Sequence, residues 1–394
     1  MILADQDLDF ERFDARPILL LVSVLFLTFL PRMLLAPMLL RIEQSFGLTR
    51  AEAGGLFFYT SGGYSGAMLA SGFVAVRLHH RGTIVLSLLV AGLSLLLLSF
   101  AAAAWHLRVG LALLGIGAGL YAPSGIATLT GVAHARHWGK ALAMHELGPV
   151  LSFFSAPLLV ELALRFATWR ILFAVLGLIC VVFGLIYARV APGGRFPGTP
   201  PNPRSIALIW SQPTFWIVTV FFLLAIGLEL GVYSMLPTFL IVERAMSPTL
   251  ANSLVSVSRL SALPLVFTSG FLADRFGARL MIAVVCVAAG FATVLIGLSS
   301  GVVLVLVVAL QPMLVSAFFP AGFILLAGVS PPETRNLVIS MVIPLANLFG
   351  GGIVPAGIGY LAERGFFGAG FVIVGCLMVV AVLLLRLLPG QRQA

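Results

Sequence analysis

The segment SGFLADRFGAR, residues 269–279, is a second version of SGFVAVRLHHR, residues 71–81, at an offset of 198 positions (269 − 71). Both keep serine, glycine, phenylalanine, alanine and two arginines in the same register. Prolines elsewhere repeat at nearly the same offset, in the pairs Pro37 and Pro237, Pro123 and Pro320, and Pro157 and Pro355. Because these independent markers agree within three positions, we infer that the chain consists of two related halves.

The sequence around these segments is too apolar for a water-soluble fold. Hydrophobic residues make up 60% of the 394 positions and charged residues only 9%, with a mean hydropathy of +1.12. Soluble domains carry roughly 25% charged residues, so we expect the lipid bilayer to surround this chain. The net charge of +9 would suggest nucleic acid in a soluble protein. Here the charges lie in short loops, and we expect no nucleic-acid partner.

Twelve apolar runs reach the length of about 20 residues that a membrane-spanning helix requires. The predicted spans 1 to 12 cover residues 17–41, 51–76, 82–103, 109–132, 139–164, 169–190, 213–241, 249–273, 279–299, 301–328, 336–361 and 366–388. Together with the repeat, they predict an all-α membrane protein whose twelve helices form two pseudo-symmetric six-helix bundles. Parallel repeats with a substrate site between them are typical of secondary transporters.

A segment rich in proline and glycine, residues 191–205, predicts a linker without helix between the bundles. The predicted organisation is a tail at 1–16, a bundle at 17–190, the linker, a bundle at 206–389 and a tail at 390–394. With both termini inside, fourteen of the 23 Arg and Lys residues lie on the cytoplasmic side and seven on the other. The positive-inside rule therefore favours cytoplasmic termini. We expect a monomer in the inner (plasma) membrane.

The sequence lacks the patterns typical of an enzyme or a sensor. Its three cysteines, Cys180, Cys286 and Cys376, are isolated within apolar runs and have neither metal nor disulfide spacing. No nucleotide-binding loop or soluble appendage is present. We therefore expect no enzymatic activity, no metal and no cofactor. A channel stays open as an alternative, although two repeats joined by a linker favour rocking over a fixed pore.

The segment Gly270–Arg279 resembles the signature loop between helices 8 and 9 of the major facilitator superfamily. Gly72–Gly82 is a degenerate counterpart between spans 2 and 3, with Val76 in place of the acidic residue, and Trp169-Arg170 at the start of span 6 is also common in that family. The resemblance covers essentially the whole chain. It implies a rocker-switch carrier with spans 1, 2, 4, 5, 7, 8, 10 and 11 around a central cavity.

The signature loop is expected to act as a conformational latch, formed by Gly270, Asp274, Arg275, Gly277 and Arg279. Asp274 could meet the N-terminal dipole of a neighbouring helix and pair with an arginine, which would hold the cytoplasmic side shut. The first half, without this acid, would have a weak latch. A simpler alternative is that Arg275 and Arg279 only set topology, and both interpretations can hold together.

Four charged residues lie well inside the predicted spans: Arg32, Glu146, Glu229 and Arg259. Such residues cost at least about 2.5–3.5 kcal/mol at the bilayer centre, so they persist where they face a cavity or a partner. Counted along their helices, Arg32 and Glu229 are predicted in the outer half of the membrane. Arg259 is predicted near the midplane, and Glu146 in the inner half.

Arg259 is the predicted anchor for an anion, because a guanidinium group matches a carboxylate in a dry cavity. The alternative is a structural ion pair with an acid of span 7 or span 5. In carriers of small monoanions that belong to the family, an arginine on helix 8 often has this role. Gln212–Trp216 and Gly231–Ser234 also resemble the monocarboxylate and oxalate–formate branch. Nitrate carriers have a second arginine where this chain has Ser61, so nitrate is not expected.

Glu229, Glu146 and His145 are the predicted proton-coupling residues. A carboxyl group that alternates between a dry cavity and an arginine partner changes its affinity for a proton. The alternatives are an outer gate pair of Glu229 with Arg32, and a His145 that only hydrogen-bonds locally. Further predicted substrate-binding residues are Arg32, Tyr121, Tyr233, Gln311 and Asn347. Each could equally be a hydrogen bond between helices.

These observations predict a proton-coupled symporter that imports a small organic anion, with a monocarboxylate as the favoured substrate class. The alternative is a proton-driven exporter of drugs or metabolites. Gly148-Pro149 is a fragment of the family's antiporter motif, but Ser152, Phe153 and Phe154 replace the glycines that follow it there. That departure favours the symporter.

Overall fold

The computed structural model describes residues 13–199, 203–329 and 335–388. Within these ranges, the side chains not described are those at 203, 205, 263, 266, 267, 270, 274, 327–329, 335 and 336. All regular secondary structure in the described part is helical, and ten of its helices are long and apolar enough to cross a membrane. Of the latch residues, Gly270 and Asp274 have a described backbone only, and the Asp274 carboxylate therefore lies outside the described part of the chain.

The first half contains six helical segments. They are α1 (Arg16–Phe46), α2 and α3 (which run together as Arg50–Ser99 and divide at His79), α4 (Ala104–Val132), α5 (Ala135–Phe166, interrupted at Glu146) and α6 (Trp169–Val190). A capping box is present at the start of α2, where the Thr49 hydroxyl accepts from the Glu52 amide and the Glu52 carboxylate accepts from the Thr49 amide.

The second half follows a short linker helix, Pro203–Trp210. Its segments are α7 (Pro213–Val242, with a π-helical turn at Gly227–Gly231), α8 (Pro248–Ser258 and Ala262–Phe276, joined by the 3₁₀ turn Arg259–Ser261), α9 (Ala278–Leu298), α10 (Gly301–Ser316 and Phe318–Val329), α11 (Arg335–Leu348 and Val354–Glu363, joined by the π-helical turn Phe349–Ile353) and α12 (Phe367–Ala381, extended by the 3₁₀ turn Val382–Leu387).

Each of the twelve predicted spans is helical in the described part of the chain. The count by length is ten because α2 and α3 form one continuous helix and α8 is not among the ten. The prediction of no helix in 191–205 is wrong at its end, since the linker helix begins at Pro203. Proline is compatible with the first turn of a helix, where its missing N–H is not needed.

The two halves repeat the same turn between their second and third helices. His79 has φ of 58° and Gly277, 198 positions later, has φ of 86°. Two residues after each turn, an arginine caps the last helix of its half. Arg81 donates a hydrogen bond of 2.8 Å to a carbonyl in the last turn of α6, and Arg279 donates one of 3.1 Å to a carbonyl in the last turn of α12. The degenerate first copy therefore keeps the geometry although it has lost the acid.

Close helix packing repeats in the same way. A Cβ atom added to Gly92 in α3 would lie 2.7 Å from the carbonyl oxygen of Gly177 in α6. A Cβ atom added to Gly290 in α9 would lie 2.7 Å from that of Gly375 in α12. Gly92 and Gly290 are 198 positions apart, and so are Gly177 and Gly375. The repeat seen in the sequence is therefore also a repeat of helix contacts.

The linker is bound to the first half through its backbone. The amide of His80 donates to the carbonyl of Phe196 at 3.3 Å, and that of Arg81 donates to the carbonyl of Gly194 at 2.8 Å. The Gly198 amide donates to the Ala75 carbonyl at 3.0 Å. We call residues 191–199 the strap. It covers the α2–α3 turn on the side of the bundle where α1 begins and α12 ends, which we call the terminal side; the opposite side is the far side.

The halves contact each other through α1 with α7, α2 with α11, and α5 with α8. Near the far side, a Cβ atom on Gly54 of α2 would lie 2.6 Å from the Pro355 carbonyl oxygen of α11. There the Glu161 carboxylate of α5 accepts from Thr249 and Asn252 of α8, at 3.0 and 2.6 Å. The terminal-side parts of α5 and α8 pack mainly within their own halves. The far side is therefore the closed side.

Candidate functional site

A buried ion pair joins α7 and α8. Arg259 Nη1 lies 2.8 Å from Glu229 Oε1, and the side chains are 3% and 14% exposed. Both residues occupy irregular turns, a 3₁₀ turn for Arg259 and a π-helical turn for Glu229. Turns of this kind inside helices frequently mark functional positions. The ion pair with a span 7 acid, one of the two interpretations of Arg259, is thus present in the structure.

Aromatic rings from both halves surround the Arg259 guanidinium group. It lies 4.6 Å from the ring of Phe153 in α5 and 4.7 Å from the ring of Tyr233 in α7. These two rings meet edge to face at 4.9 Å. Cation–π contacts stabilise a desolvated guanidinium group. Phe153 was not predicted as a site residue; its only sign in the sequence is an aromatic residue at a position where the antiporter motif has glycine.

Arg32 in α1 is the second buried guanidinium group. It is 5% exposed, donates from Nη2 to Asn347 Oδ1 at 3.0 Å and lies 4.1 Å from the Tyr64 ring. No carboxylate in the described part of the chain forms an ion pair with Arg32, and its Nε has no hydrogen-bond partner there. The outer gate pair of Glu229 with Arg32, one of the two alternatives for Glu229, is therefore wrong, because the Glu229 carboxylate pairs with Arg259 instead.

The predicted depths also need correction. Glu229 and Arg259 are in contact, so they lie at one depth and not in the outer half and at the midplane respectively. Arg32 lies near the middle of α1, because this helix continues to Phe46, beyond the predicted end at 41. Counting residues from one helix end placed it too far out.

Two rings connect the arginines. Phe29 lies 5.5 Å from the Arg32 guanidinium group and packs edge to face on Phe153 at 5.5 Å, and Phe153 contacts Arg259. The Tyr233 hydroxyl donates to the carbonyl of Met33 at 3.3 Å. Arg32 and Arg259 are thus parts of one buried cluster, which we call the central cluster.

A small cavity, with about 290 Å³ of atom-free space, borders the central cluster. It is lined by Arg32, Met33, Phe57, Thr60, Ser61, Leu230, Tyr233, Ser234 and Gly351. The Thr60 hydroxyl is buried and has no partner among the described residues. The cavity therefore combines one cation, several hydroxyl groups and an apolar wall, which is the composition of a site for a small polar ligand.

The other predicted substrate-binding residues divide between this cluster and the rest of the bundle. Asn347 and Tyr233 contact the arginines, as described above. Gln311 donates to the carbonyl of Leu228 at 3.0 Å, which is a hydrogen bond between α10 and α7. Tyr121 lies elsewhere in the first half and contacts His145. The sequence patterns could not separate these four, since all are polar residues on cavity-facing spans.

Tyr121, His145 and Glu146 form a separate group on the terminal side. His145 Nε2 lies 2.8 Å from Tyr121 Oη, which also lies 2.8 Å from the carbonyl oxygen of Leu21 in α1. His145 Nδ1 lies 3.7 Å from Glu146 Oε1. His145 is 4% exposed and Glu146, at the interruption of α5, is 67% exposed. The predicted proton-coupling residues thus occupy two places, with Glu229 in the central cluster and His145 and Glu146 apart from it.

The described part of the signature loop makes structural contacts. Gly277 forms the turn with positive φ, and Arg279 caps α12 through the carbonyls of Leu385 and Leu388. Arg275 is exposed and lies 5.5 Å from the Phe276 ring. The latch itself stays a prediction, because it depends on the side chain of Asp274.

Comparison with known proteins identifies the family. The sequence profile of the Major Facilitator Superfamily matches residues 21–301 and, in a second overlapping match, residues 231–393. No curated protein matches the chain by sequence.

Solved structures with the same fold include a bacterial homolog of the human lysosomal transporter Spinster in an inward-facing, occupied conformation, with a TM-score of 0.76, 16% identity and coverage of 94% of this chain and 95% of that one. A D-xylose–proton symporter has a TM-score of 0.78, 14% identity and coverage of 95% and 98%. A POT family transporter in complex with 5-aminolevulinic acid has a TM-score of 0.78, 13% identity and coverage of 94% and 96%. These low identities show the fold alone. With the family profile matched over most of its length, the chain belongs to the Major Facilitator Superfamily of transporters.

Proposed function

We propose that the protein is a proton-coupled symporter of a small organic anion, with a monocarboxylate as the substrate class. The observation that carries this proposal is Arg32, a buried guanidinium group without an ion-pair partner among the described residues, at the edge of a cavity. A buried charge is strongly unfavourable unless an opposite charge and hydrogen bonds compensate it. A substrate carboxylate would supply both.

The groups around the cavity suit a carboxylate. Arg32 Nε has no partner, and a guanidinium fork binds the two oxygens of a carboxylate side by side. Thr60 and Ser61 place hydroxyl groups on the same wall.

The charge of the central cluster favours a monoanion. It contains two guanidinium groups and one carboxylate, Glu229, so it carries one excess positive charge when all three are ionised. A monocarboxylate would neutralise it, whereas a cation would add to it. This argues against the alternative, an exporter of cationic drugs, although export of an anionic metabolite is compatible with the same charges.

The Arg259–Glu229 pair offers a means of coupling to protons. Glu229 Oε2 is buried and has no partner in the described part of the chain. Protonation of Glu229 would weaken its bond to Arg259 and free this guanidinium group for the substrate. Because Arg259 also contacts Phe153 of the other half, the change would act directly at the interface that must move.

Uptake into proteoliposomes with an imposed pH gradient tests the proposal. Wild-type protein should accumulate at least one of a panel of labelled short-chain monocarboxylates when the outside is acidic. Arg32→Gln should abolish this uptake. Arg364→Gln is a matched control, because Arg364 is exposed and its guanidinium group lies 3.6 Å from the ring of Tyr360, four residues earlier in the chain. If no carboxylate accumulates, or if Arg32→Gln transports like the control, the proposal is wrong.

A further inference from the structure

The hydrogen bonds around His145 determine where its proton lies. The Leu21 carbonyl can only accept a hydrogen bond, so the Tyr121 hydroxyl hydrogen is directed to it at 2.8 Å. The Tyr121 oxygen must then accept from His145, 2.8 Å away. Nε2 therefore carries a hydrogen, and in the neutral ring Nδ1 is an unprotonated acceptor.

Nδ1 has no hydrogen-bond partner in the described part of the chain, although the ring is buried. A buried acceptor without a donor is unfavourable. The nearest charged group is the Glu146 carboxylate at 3.7 Å. A proton on Nδ1 would satisfy the nitrogen and place the imidazolium beside that carboxylate. Since Glu146 is 67% exposed, water can deliver the proton to it.

Among the described residues, tyrosines of three helices interact with this group. Tyr187 of α6 interacts electrostatically with Tyr121, and Tyr64 of α2 interacts with Glu146. Lys140, which belongs to α5 itself, contacts the ring of Phe13 at 4.2 Å. α1 contributes the Leu21 carbonyl and α4 contributes Tyr121 itself. Glu146 is thus the anionic partner that the geometry gives to a protonated His145.

We propose that His145 and Glu146 form a proton-binding site on the terminal side, with Tyr121 and the Leu21 carbonyl fixing the tautomer that leaves Nδ1 open. The proton passes from the Glu146 carboxyl group, or from water, to Nδ1, and no other bond is made or broken. This site rests on the proton coupling proposed above and is separate from Glu229. α1 links the two, because it carries both the Leu21 carbonyl and Arg32.

Nitrogen-15 NMR of histidine-labelled protein in nanodiscs tests the site without transport. His145, assigned by its loss in His145→Gln, should show a protonated Nε2 and a bare Nδ1 at pH 8.5, and both nitrogens should be protonated as the pH falls. Tyr121→Phe should mix the two tautomers. Glu146→Gln should reduce the protonated fraction at a given pH, because it removes the negative charge beside the imidazolium.

His106 is an internal control in the same spectra. Its Nδ1 accepts from the backbone amide of Ala103 at 3.0 Å near the far side, so neither variant should change its signals. A bare Nε2 on His145 at high pH, or a Glu146→Gln spectrum identical to wild type throughout the titration, would overturn the proposal.

A transport measurement separates this site from the proposed function. Tyr121→Phe and Glu146→Gln should retain counterflow exchange of the substrate, which needs no net proton movement, and lose most of the accumulation driven by a pH gradient. Full gradient-driven accumulation in both variants contradicts a coupling role for the site. Failure of wild-type protein to transport any carboxylate contradicts the proposed function instead, and the NMR result then decides the proton site by itself.

Discussion

Replacing Glu229 with glutamine removes the carboxylate that contacts Arg259 and leaves a buried guanidinium group without an opposite charge. Loss of one partner from a buried ion pair costs about 3–5 kcal/mol. Here glutamine can still accept one hydrogen bond, and the contacts with Phe153 and Tyr233 remain, each contributing about 0.5–2 kcal/mol. We therefore expect a loss near the lower end, about 3 kcal/mol, or roughly a hundredfold in the equilibrium between folded and unfolded protein.

The measurement is equilibrium unfolding by SDS in mixed micelles, followed by circular dichroism, on Glu229→Gln, Arg259→Gln and the double variant. Because the double variant removes both charges, its loss of stability should be smaller than the sum of the single losses by about 2 kcal/mol or more. Additive losses, with a coupling below about 0.5 kcal/mol, would refute the pair as the structure shows it.

Three further variants test the packing and the closure of the far side. Gly92→Ala places a methyl group against the backbone of α6 and should destabilise the protein by about 1–3 kcal/mol. Its control is Gly55→Ala, which has open space around the Cβ position and should change stability by less than about 0.5 kcal/mol. SDS unfolding measures the stability of both variants. Gly277→Ala forces an alanine into positive φ and should cost about 1–2 kcal/mol by the same assay, and an unchanged midpoint contradicts the turn. Glu161→Ala removes two hydrogen bonds between α5 and α8, together about 1–3 kcal/mol. The distance between spin labels on the far-side ends of these helices should then shift toward longer values, and an unchanged distribution means that these bonds do not hold the far side closed.

The helices and their repetition were predictable because both depend on features that a sequence displays directly. Span length follows from the run of apolar residues, and the offset between residues 71–81 and 269–279 marks the two halves. Interruptions inside helices were harder to predict. The π-helical turn around Glu229 and the 3₁₀ turn at Arg259 follow from packing between helices and carry no pattern of their own.

The partners of the buried charges were the least predictable part. Four charged residues within spans could be named, yet their pairing depends on how each helix is rotated about its axis and on how far it extends. The sequence left Glu229 with two possible roles, one of them a pair with Arg32, and the structure pairs it with Arg259 instead. Because Arg32 has no ion-pair partner among the described residues, it is a stronger candidate anchor than Arg259, on which the sequence interpretation depended.

The strap limits how far the two halves can move apart on the terminal side. Its last backbone bond to the first half is at Gly198, and the linker helix begins at Pro203. Five Cα–Cα steps of at most about 3.6 Å separate these points, so a fully extended chain reaches roughly 18 Å. As long as the strap stays bonded, the start of the linker helix is confined to a sphere of that radius around the α2–α3 turn. A rocking motion of the halves would then be limited on this side by the length of a tether, and lengthening residues 199–202 would relax that limit without altering any residue of the central cluster.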